Sequence, residues 1–306
     1  MKTSSKPAEV DLLPSSSSSD DNHGGGIREM TQLLILCSIF VFLLLSSLMI
    51  LRKSSFAPSI TIALPSVAKS KPIFPQPASS SDTLFGSSRR KMSSGEIKSI
   101  SAALSRCNNI THCNFLVFGL TKETLLWHSL NKNGRTVFVE SNAYLVRDLE
   151  SNQPEIEAYD VEFATEVTEM YDLIESVNEQ VRNECRPVQN LLYSDCPLGI
   201  NDLPNYVYDV EWDVILVDGP WGINSGEAAG RMSAIFTAGV LARSKRNGEK
   251  SVDVFVNEFD REVEWICSEE FLCTEENLVE SKGSLAHFVI GKMNHDSNRF
   301  CLNSGS

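Results

Sequence analysis

Residues 113–140 read CNFLVFGLTKETLLWHSLNKNGRTVFVE. The apolar run Phe115–Phe118 is long enough for a strand buried on both faces, and it stops at Gly119, where a missing side chain lets the backbone come close to a ligand. A helix fits Thr121–Leu130, and a second strand, Thr136–Val139, ends on Glu140, 21 residues after Gly119. In α/β nucleotide sites an acid at about that distance accepts ribose hydroxyl hydrogen bonds. Leu120 and Thr121 follow Gly119 where a phosphate cradle would need further glycines, which disfavours NAD and FAD. S-adenosylmethionine carries adenosine without phosphates and needs only one close backbone approach and one ribose acceptor. The competing reading is a strand pair with a structural glycine and a surface glutamate.

On the C-terminal side, strand and helix keep alternating. Residues 142–150 form a helical segment, 156–163 a third strand, and 167–181 a helix with an apolar stripe through Met170, Ile174 and Val177. The run WDVILVDGP at 212–220 is a buried strand that ends on Asp218 and a turn; a helix over 229–243, a strand over 252–256 and a short helix over 261–268 follow. Residues 271–280 and 285–290 flank Lys282-Gly283 as two strands of a tight hairpin. Five parallel strands and a terminal hairpin specify an α/β fold, a class I methyltransferase-like Rossmann sheet with a C-terminal antiparallel hairpin. A short amphipathic helix over 95–106 precedes it, and the domain spans 93–302.

The N-terminal third has another character. Residues 31–51, TQLLILCSIFVFLLLSSLMIL, carry no charge and as a helix would span about 30 Å, the hydrocarbon thickness of a bilayer. They are expected to be a transmembrane signal-anchor helix between a disordered tail, 1–30, and a disordered Ser/Pro stem, 52–92. Residues 92–306 hold 17 Lys/Arg against 34 Asp/Glu, a net charge of −17. Such a domain does not attract nucleic acid or anionic lipid. Arg52 and Lys53 after the apolar run favour a cytosolic domain by charge bias, whereas cysteine usage favours the lumen. Cys185 and Cys196 bracket a polar loop as a disulfide would, Cys273 and Cys301 are a second candidate pair, and Asn109-Ile110-Thr111 is a glycosylation acceptor. The luminal reading is preferred.

Ligands of open α/β sheets sit beyond the C-terminal ends of the strands, which singles out Gly119, Glu140, Asp218 and the cluster Asn257-Glu258-Phe259-Asp260. Gly119, Glu140 and Asp218 are the cofactor candidates. Methyl transfer is an in-line displacement that needs positioning and removal of the acceptor's proton, so Asp218 is also the candidate base; its alternative role is to cap the Gly219-Pro220 turn. Asp218, Asn257 and Glu258 together would suit Mg²⁺ or Mn²⁺ as oxygen ligands. In the glycine-rich loop after the fourth strand, Trp221 is a candidate to stack on a sugar or adenine, and Arg231 to hold a substrate carboxylate bidentately. Either residue has a structural alternative, Trp221 as a loop anchor and Arg231 as the partner of an internal acid.

The strings CNFLVFGL, GRTVFVE, WDVILVDGP, GRMSAIFTAGVLARSKRNG and DVFVNEFDREVEWICSEEFLC, in this order, resemble the plant polysaccharide-biosynthesis family that contains the glucuronoxylan 4-O-methyltransferases. The resemblance covers roughly residues 95–302 and is nearest to the irregular-xylem branch, including the irregular xylem 15-like proteins. It implies a single-pass type II protein of the Golgi membrane with a luminal domain. It also implies xylan or glucuronoxylan chains and Golgi xylan-synthesis proteins as partners, and a role in secondary cell walls. Asn257 stands where relatives usually have His, and the loop DGPWGINSGEAAGR departs from their pattern. The leading expectation is therefore a xylan-biosynthesis protein that binds S-adenosylmethionine. The alternatives are an active glucuronoxylan 4-O-methyltransferase and a non-catalytic scaffold of the xylan synthase machinery.

Overall fold

The computed structural model describes residues 90–220, 229–246 and 251–302. The expected tail, membrane helix and nearly all of the stem lie outside the described residues, as does Trp221. Among the described residues no helix is long and apolar enough to cross a membrane.

Seven strands form one mixed sheet. In chain order they are β1 (Asn114–Phe118), β2 (Arg135–Glu140), β3 (Glu157–Asp160), β4 (Val214–Val217), β5 (Val252–Asn257), β6 (Leu278–Lys282) and β7 (Leu285–Ile290), and across the sheet the order is β3-β2-β1-β4-β5-β7-β6. The first five are parallel; β7 runs antiparallel to both β5 and β6. The principal helices are α1 (Ser94–Asn108), α2 (Thr124–Leu130), α3 (Ala143–Asn152), α4 (Met170–Gln180), α5 (Met232–Arg243) and α6 (Glu262–Leu272), with a single turn, α7 (Thr274–Asn277), after them. The hairpin's first strand is shorter than its sequence pattern suggests. Phe271 and Leu272 end α6, Thr274–Asn277 form the turn α7, and β6 begins only at Leu278. Cys273 explains the early break, because it takes φ +63°, a left-handed conformation that ends α6 and starts the next turn.

Alternation along the strands divides the core between the two faces of the sheet. Phe115 and Val117 of β1, with Phe138, Leu216 and Phe255, pack against Ile100 and Leu104 of α1, Trp127 of α2 and Leu145 of α3. Leu116 and Phe118, with Val139, Val217 and Val256, face Ile174 and Val177 of α4, most of α5, and Val263 and Phe271 of α6. Every residue of α5 is buried, which accounts for its apolar composition around the whole helix.

The amphipathic helix at the start of the domain also fastens the far edge of the sheet. Ser93 and Glu96 form a capping box at the N-terminus of α1, and the same Glu96 carboxylate accepts from the Ser284 backbone N–H at 2.8 Å and pairs with Arg90. Burial pushes this carboxyl up, but the Ser93 and Ser284 N–H groups and the Arg90 guanidinium outweigh it and hold it below the usual carboxylate value. Gly283, at φ +61° in the β6–β7 turn, is required here: a Cβ would lie 2.5 Å from Glu96 Oε1.

Three disulfides close the described chain: Cys107–Cys113, Cys185–Cys196 and Cys273–Cys301. The last two are the pairs expected from sequence; the first, between α1 and β1, was not. Cys267 is a free, buried thiol. The Cys273–Cys301 bridge is seconded by Arg243, whose Nη1 donates to the Gly239 and Phe271 carbonyls at 2.9 and 2.8 Å and whose Nη2 reaches the Phe300 carbonyl at 3.2 Å. Burial lowers this guanidinium to about 10.

Candidate functional site

The C-terminal edge of the parallel strands brings together Gly119 after β1, Glu140 ending β2, Asp218 after β4, and Asn257 and Glu258 at the end of β5. Gly119 adopts φ +106°, and its N–H donates to the Val139 carbonyl at 2.7 Å. A Cβ on Gly119 would lie 2.8 Å from backbone atoms of Asp218 and Gly219, and one on Gly219 would lie 2.6 Å from the Gly119 Cα. The missing side chain thus serves a contact between the ends of β1 and β4, a closer constraint than approach to a ligand.

Glu140 is buried and tied to both neighbouring turns. Its Oε2 accepts from the Leu120 N–H at 2.8 Å, and its Oε1 accepts from the Ser141 N–H and hydroxyl, each at 2.9 Å, and the Asn142 N–H at 3.1 Å. Oε2 retains a lone pair beyond its bond to Leu120. Glu123, in the turn before α2, places a further carboxylate nearby, and its buried Oε1 has no hydrogen-bond partner.

Asp218 is 2% exposed, and its Oδ1 accepts from Asn257 Nδ2 at 2.7 Å. Burial pushes its carboxyl up to about 6; Arg231 and the Asn257 hydrogen bond oppose the rise, and Glu123 and Glu258 add to it. Arg231, 1% exposed, stands at the start of α5 with Nη2 2.8 Å from Glu258 Oε2 and 4.0 Å from Asp218 Oδ1, while Nη1 donates to the Asn257 carbonyl. Its Nε is 3.6 Å from Glu264, which is fully buried on α6 and also 3.4 Å from Arg261. Neither Glu264 oxygen has a donor in hydrogen-bond geometry, so the two guanidinium groups compensate it by charge alone. Its carboxyl is raised by burial against their pull. Glu258 itself adopts φ +57°, a left-handed conformation uncommon for a side-chain-bearing residue, and this turns its carboxylate toward Arg231 and Arg261.

Two expectations need correction. The trio Asp218, Asn257 and Glu258 does not form an open divalent-metal set. Asn257 presents a donating amide to Asp218, and the Arg231 guanidinium already neutralises both acids where a cation would sit. The one other ligand-like group among the described residues, Cys107, Cys113 and Asp213, has both sulfurs in a disulfide. Nor is Arg231 open to clamp a substrate carboxylate: it is enclosed, Nη1 and Nη2 are engaged by the Asn257 carbonyl and Glu258, and the buried Nε faces Glu264 at 3.6 Å without a hydrogen bond. Glu123 and Glu264 join the site only in the folded chain, since neither stands at a strand end. Glu264 carried a signal, since it lies three residues after Arg261 and so on the same face of α6.

A sheet in this order, with acids at the ends of β2 and β4, defines an α/β methyltransferase-like fold. A family model described as IRX15/IRX15L/GXM matches residues 95–288, and the chain belongs to that family. It is 60% identical over 210 residues to Protein IRX15-LIKE of Arabidopsis thaliana, a match covering 69% of this chain and 65% of that protein. The chain therefore spans slightly less than two thirds of that relative's length. With Glucuronoxylan 4-O-methyltransferase 1 of Arabidopsis thaliana it is 39% identical over 194 residues, covering 62% of this chain and 67% of the other. Among solved structures, a methyltransferase-like protein from Silicibacter pomeroyi aligns over 67% of this chain and 89% of its own at 15% identity, with a TM-score of 0.37.

Proposed function

We propose that this chain acts in xylan biosynthesis and binds S-adenosylmethionine at the C-terminal edge of its sheet. The observation that carries the cofactor is the convergence of Glu140, Glu123 and Asp218, three buried carboxylates, one of them with an unpartnered oxygen. Such a site fits a cationic ligand that also offers hydroxyl donors. Glu140 would hold the ribose, and Glu123 and Asp218 would face the positive charge; when bound, the cofactor supplies a methyl group on a sulfonium. Titration calorimetry on the full chain tests this. Binding should be measurable and should weaken about tenfold or more in Glu140→Gln, which trades a charged acceptor for a neutral amide. No heat at millimolar S-adenosylmethionine from folded protein would remove the cofactor and leave the scaffold reading.

Two readings of the reaction have support. A carboxyl held near 6 on Asp218 is suited to accept a proton from an acceptor hydroxyl near neutral pH, which favours an active glucuronoxylan 4-O-methyltransferase. The enclosure of Asp218, with Oδ1 held by Asn257 and Arg231 4.0 Å away, favours a binding protein or scaffold, because the carboxylate already serves the chain's own network. A methyl-transfer assay on glucuronoxylan separates them.

We also propose a Golgi-membrane setting with the domain in the lumen, anchored by residues 31–51, next to xylan and the proteins that synthesise it. Three disulfides support an oxidising compartment. Asn109 is the only Asn-x-Ser/Thr site in the sequence, and it is exposed inside the loop closed by Cys107–Cys113. Protein made in plant microsomes should lose the mass of one glycan on endoglycosidase treatment, and Asn109→Gln should show no shift. Digestion of the domain by protease added to sealed vesicles would overturn the luminal setting.

A further inference from the structure

Among the described residues four aromatic side chains are largely exposed, Tyr144, Tyr171, Tyr193 and Trp265, and two of these, Tyr171 and Trp265, stand on adjoining helix starts. Tyr171 is 61% exposed in the first turn of α4 and Trp265 is 48% exposed in the first turn of α6. The two helix starts adjoin. The Tyr171 hydroxyl donates to Glu262 Oε1 at 3.0 Å, and Glu262 lies three residues before Trp265 on the exposed face of α6. The site side of the fold is also where these helices begin: α6 follows Glu258 and Arg261 directly, and the chain entering α4 is tied to the start of α5 through the Thr165 hydroxyl and the Ala229 carbonyl.

We propose that Tyr171, Glu262 and Trp265 form a docking platform for an uncharged glycan chain of the xylan type, running past the rim of the site. The inference rests on the xylan reading above. The C–H faces of pyranose rings stack on aromatic rings, and Glu262, with one oxygen held by the Tyr171 phenol, offers the other to a pair of sugar hydroxyls. The surrounding charge selects the occupant. Neither α4 nor α6 contains a Lys or Arg, and Asp172, Glu175 and Glu269 are exposed beside the aromatics. Arg261, which immediately precedes α6, is paired with Glu258 and Glu264. A polyanion, whether nucleic acid, anionic headgroup or a run of uronates, is repelled by such a surface. Two rings and a carboxylate also fall short of the area a stable protein interface needs, whereas they suit two or three sugar units.

Affinity electrophoresis and calorimetry of the full chain with xylohexaose, cellohexaose and an oligogalacturonide test the proposal. Xylohexaose should bind and the oligogalacturonide should not. Trp265→Ala and Tyr171→Ala should each weaken binding about tenfold, while Trp265→Phe, which keeps a ring, should retain most of it. Unchanged melting temperatures would show that the exposed positions act through the glycan and not the fold. Equal binding by wild type and Trp265→Ala, or no glycan binding by folded protein, would overturn the platform. Binding of cellohexaose but not xylohexaose, lost in Trp265→Ala, would overturn the assignment to a xylan-type chain and the pathway reading with it, leaving a platform for a different neutral glycan.

Discussion

Replacing Arg231 by methionine is expected to cost about 3–5 kcal/mol of folding stability, a large part of what a domain of this kind possesses. The guanidinium is enclosed and compensates three carboxylates, Asp218, Glu258 and Glu264, at 4.0, 2.8 and 3.6 Å. Methionine fills much of the same volume, so the loss would come from stranded negative charge and not from a cavity. Glu264 should dominate it. That residue is fully buried with no hydrogen-bond donor, and Arg261 alone would remain to offset it. Chemical denaturation measures the loss, and a second substitution identifies its source: Arg231→Met with Glu264→Gln should recover a substantial part. Additive losses in the double variant, or less than about 1 kcal/mol lost in the single one, would show that the acids are not coupled through Arg231.

The second large effect is a pH dependence carried by Asp218. Its carboxyl rises from an ordinary 3.8 to about 6 in the folded protein, because burial penalises the charged form more than Arg231 and Asn257 support it. A raised carboxyl favours the folded state while it is protonated in both states. That advantage is complete below about pH 4, is lost as pH rises toward 6, and does not return above it. The gap of about two pH units corresponds to roughly 3 kcal/mol. Asp218→Asn does not titrate, so the stability of the wild type relative to the variant should fall across pH 4–6 and stay level above it. Glu96 carries the opposite dependence, with stability lost as pH falls, but it does so in both proteins and drops out of the difference. A flat difference across this window would mean that Asp218 is ionised throughout. If methyl transfer is retained, Asp218→Asn should also abolish its rise with pH through about 6, because only the ionised carboxylate can accept the acceptor's proton.

Much of the fold is legible in the chain because it rests on local pattern. The apolar runs at 115–118, 136–139, 212–217 and 252–256 all contain strands, and Lys282-Gly283 marks the hairpin turn. Residues 271–277 are the exception: Phe271, Leu272 and Cys273 start like a strand, but the polar Thr274–Asn277 form a helical turn. A left-handed Cys273, bridged to Cys301, divides this turn from α6, and neither constraint is written in the hydrophobic period. The Cys107–Cys113 bridge is illegible for a related reason: Cys113 reads as the approach to a strand, and only the return of α1 toward the start of β1 shows that its thiol meets Cys107.

For the site, the chain by itself determined which residue types stand at the strand ends. Gly119, Glu140, Asp218, Asn257 and Glu258 could be named from position alone, because parallel strands with buried faces must end where the apolar runs end. What those residues do to one another was decided only in three dimensions. Spacing shows that Asp218, Asn257 and Glu258 are oxygen-bearing neighbours. It does not show that Asn257 turns its N–H toward Asp218, that Glu258 bends through a left-handed turn, or that Arg231 returns from the next helix to fill the space between the acids. Lone pairs are directional, and charge compensation depends on distances between segments some 40 residues apart. For that reason a set of acids that resembled a metal site in sequence is, in the folded protein, an arginine-centred network.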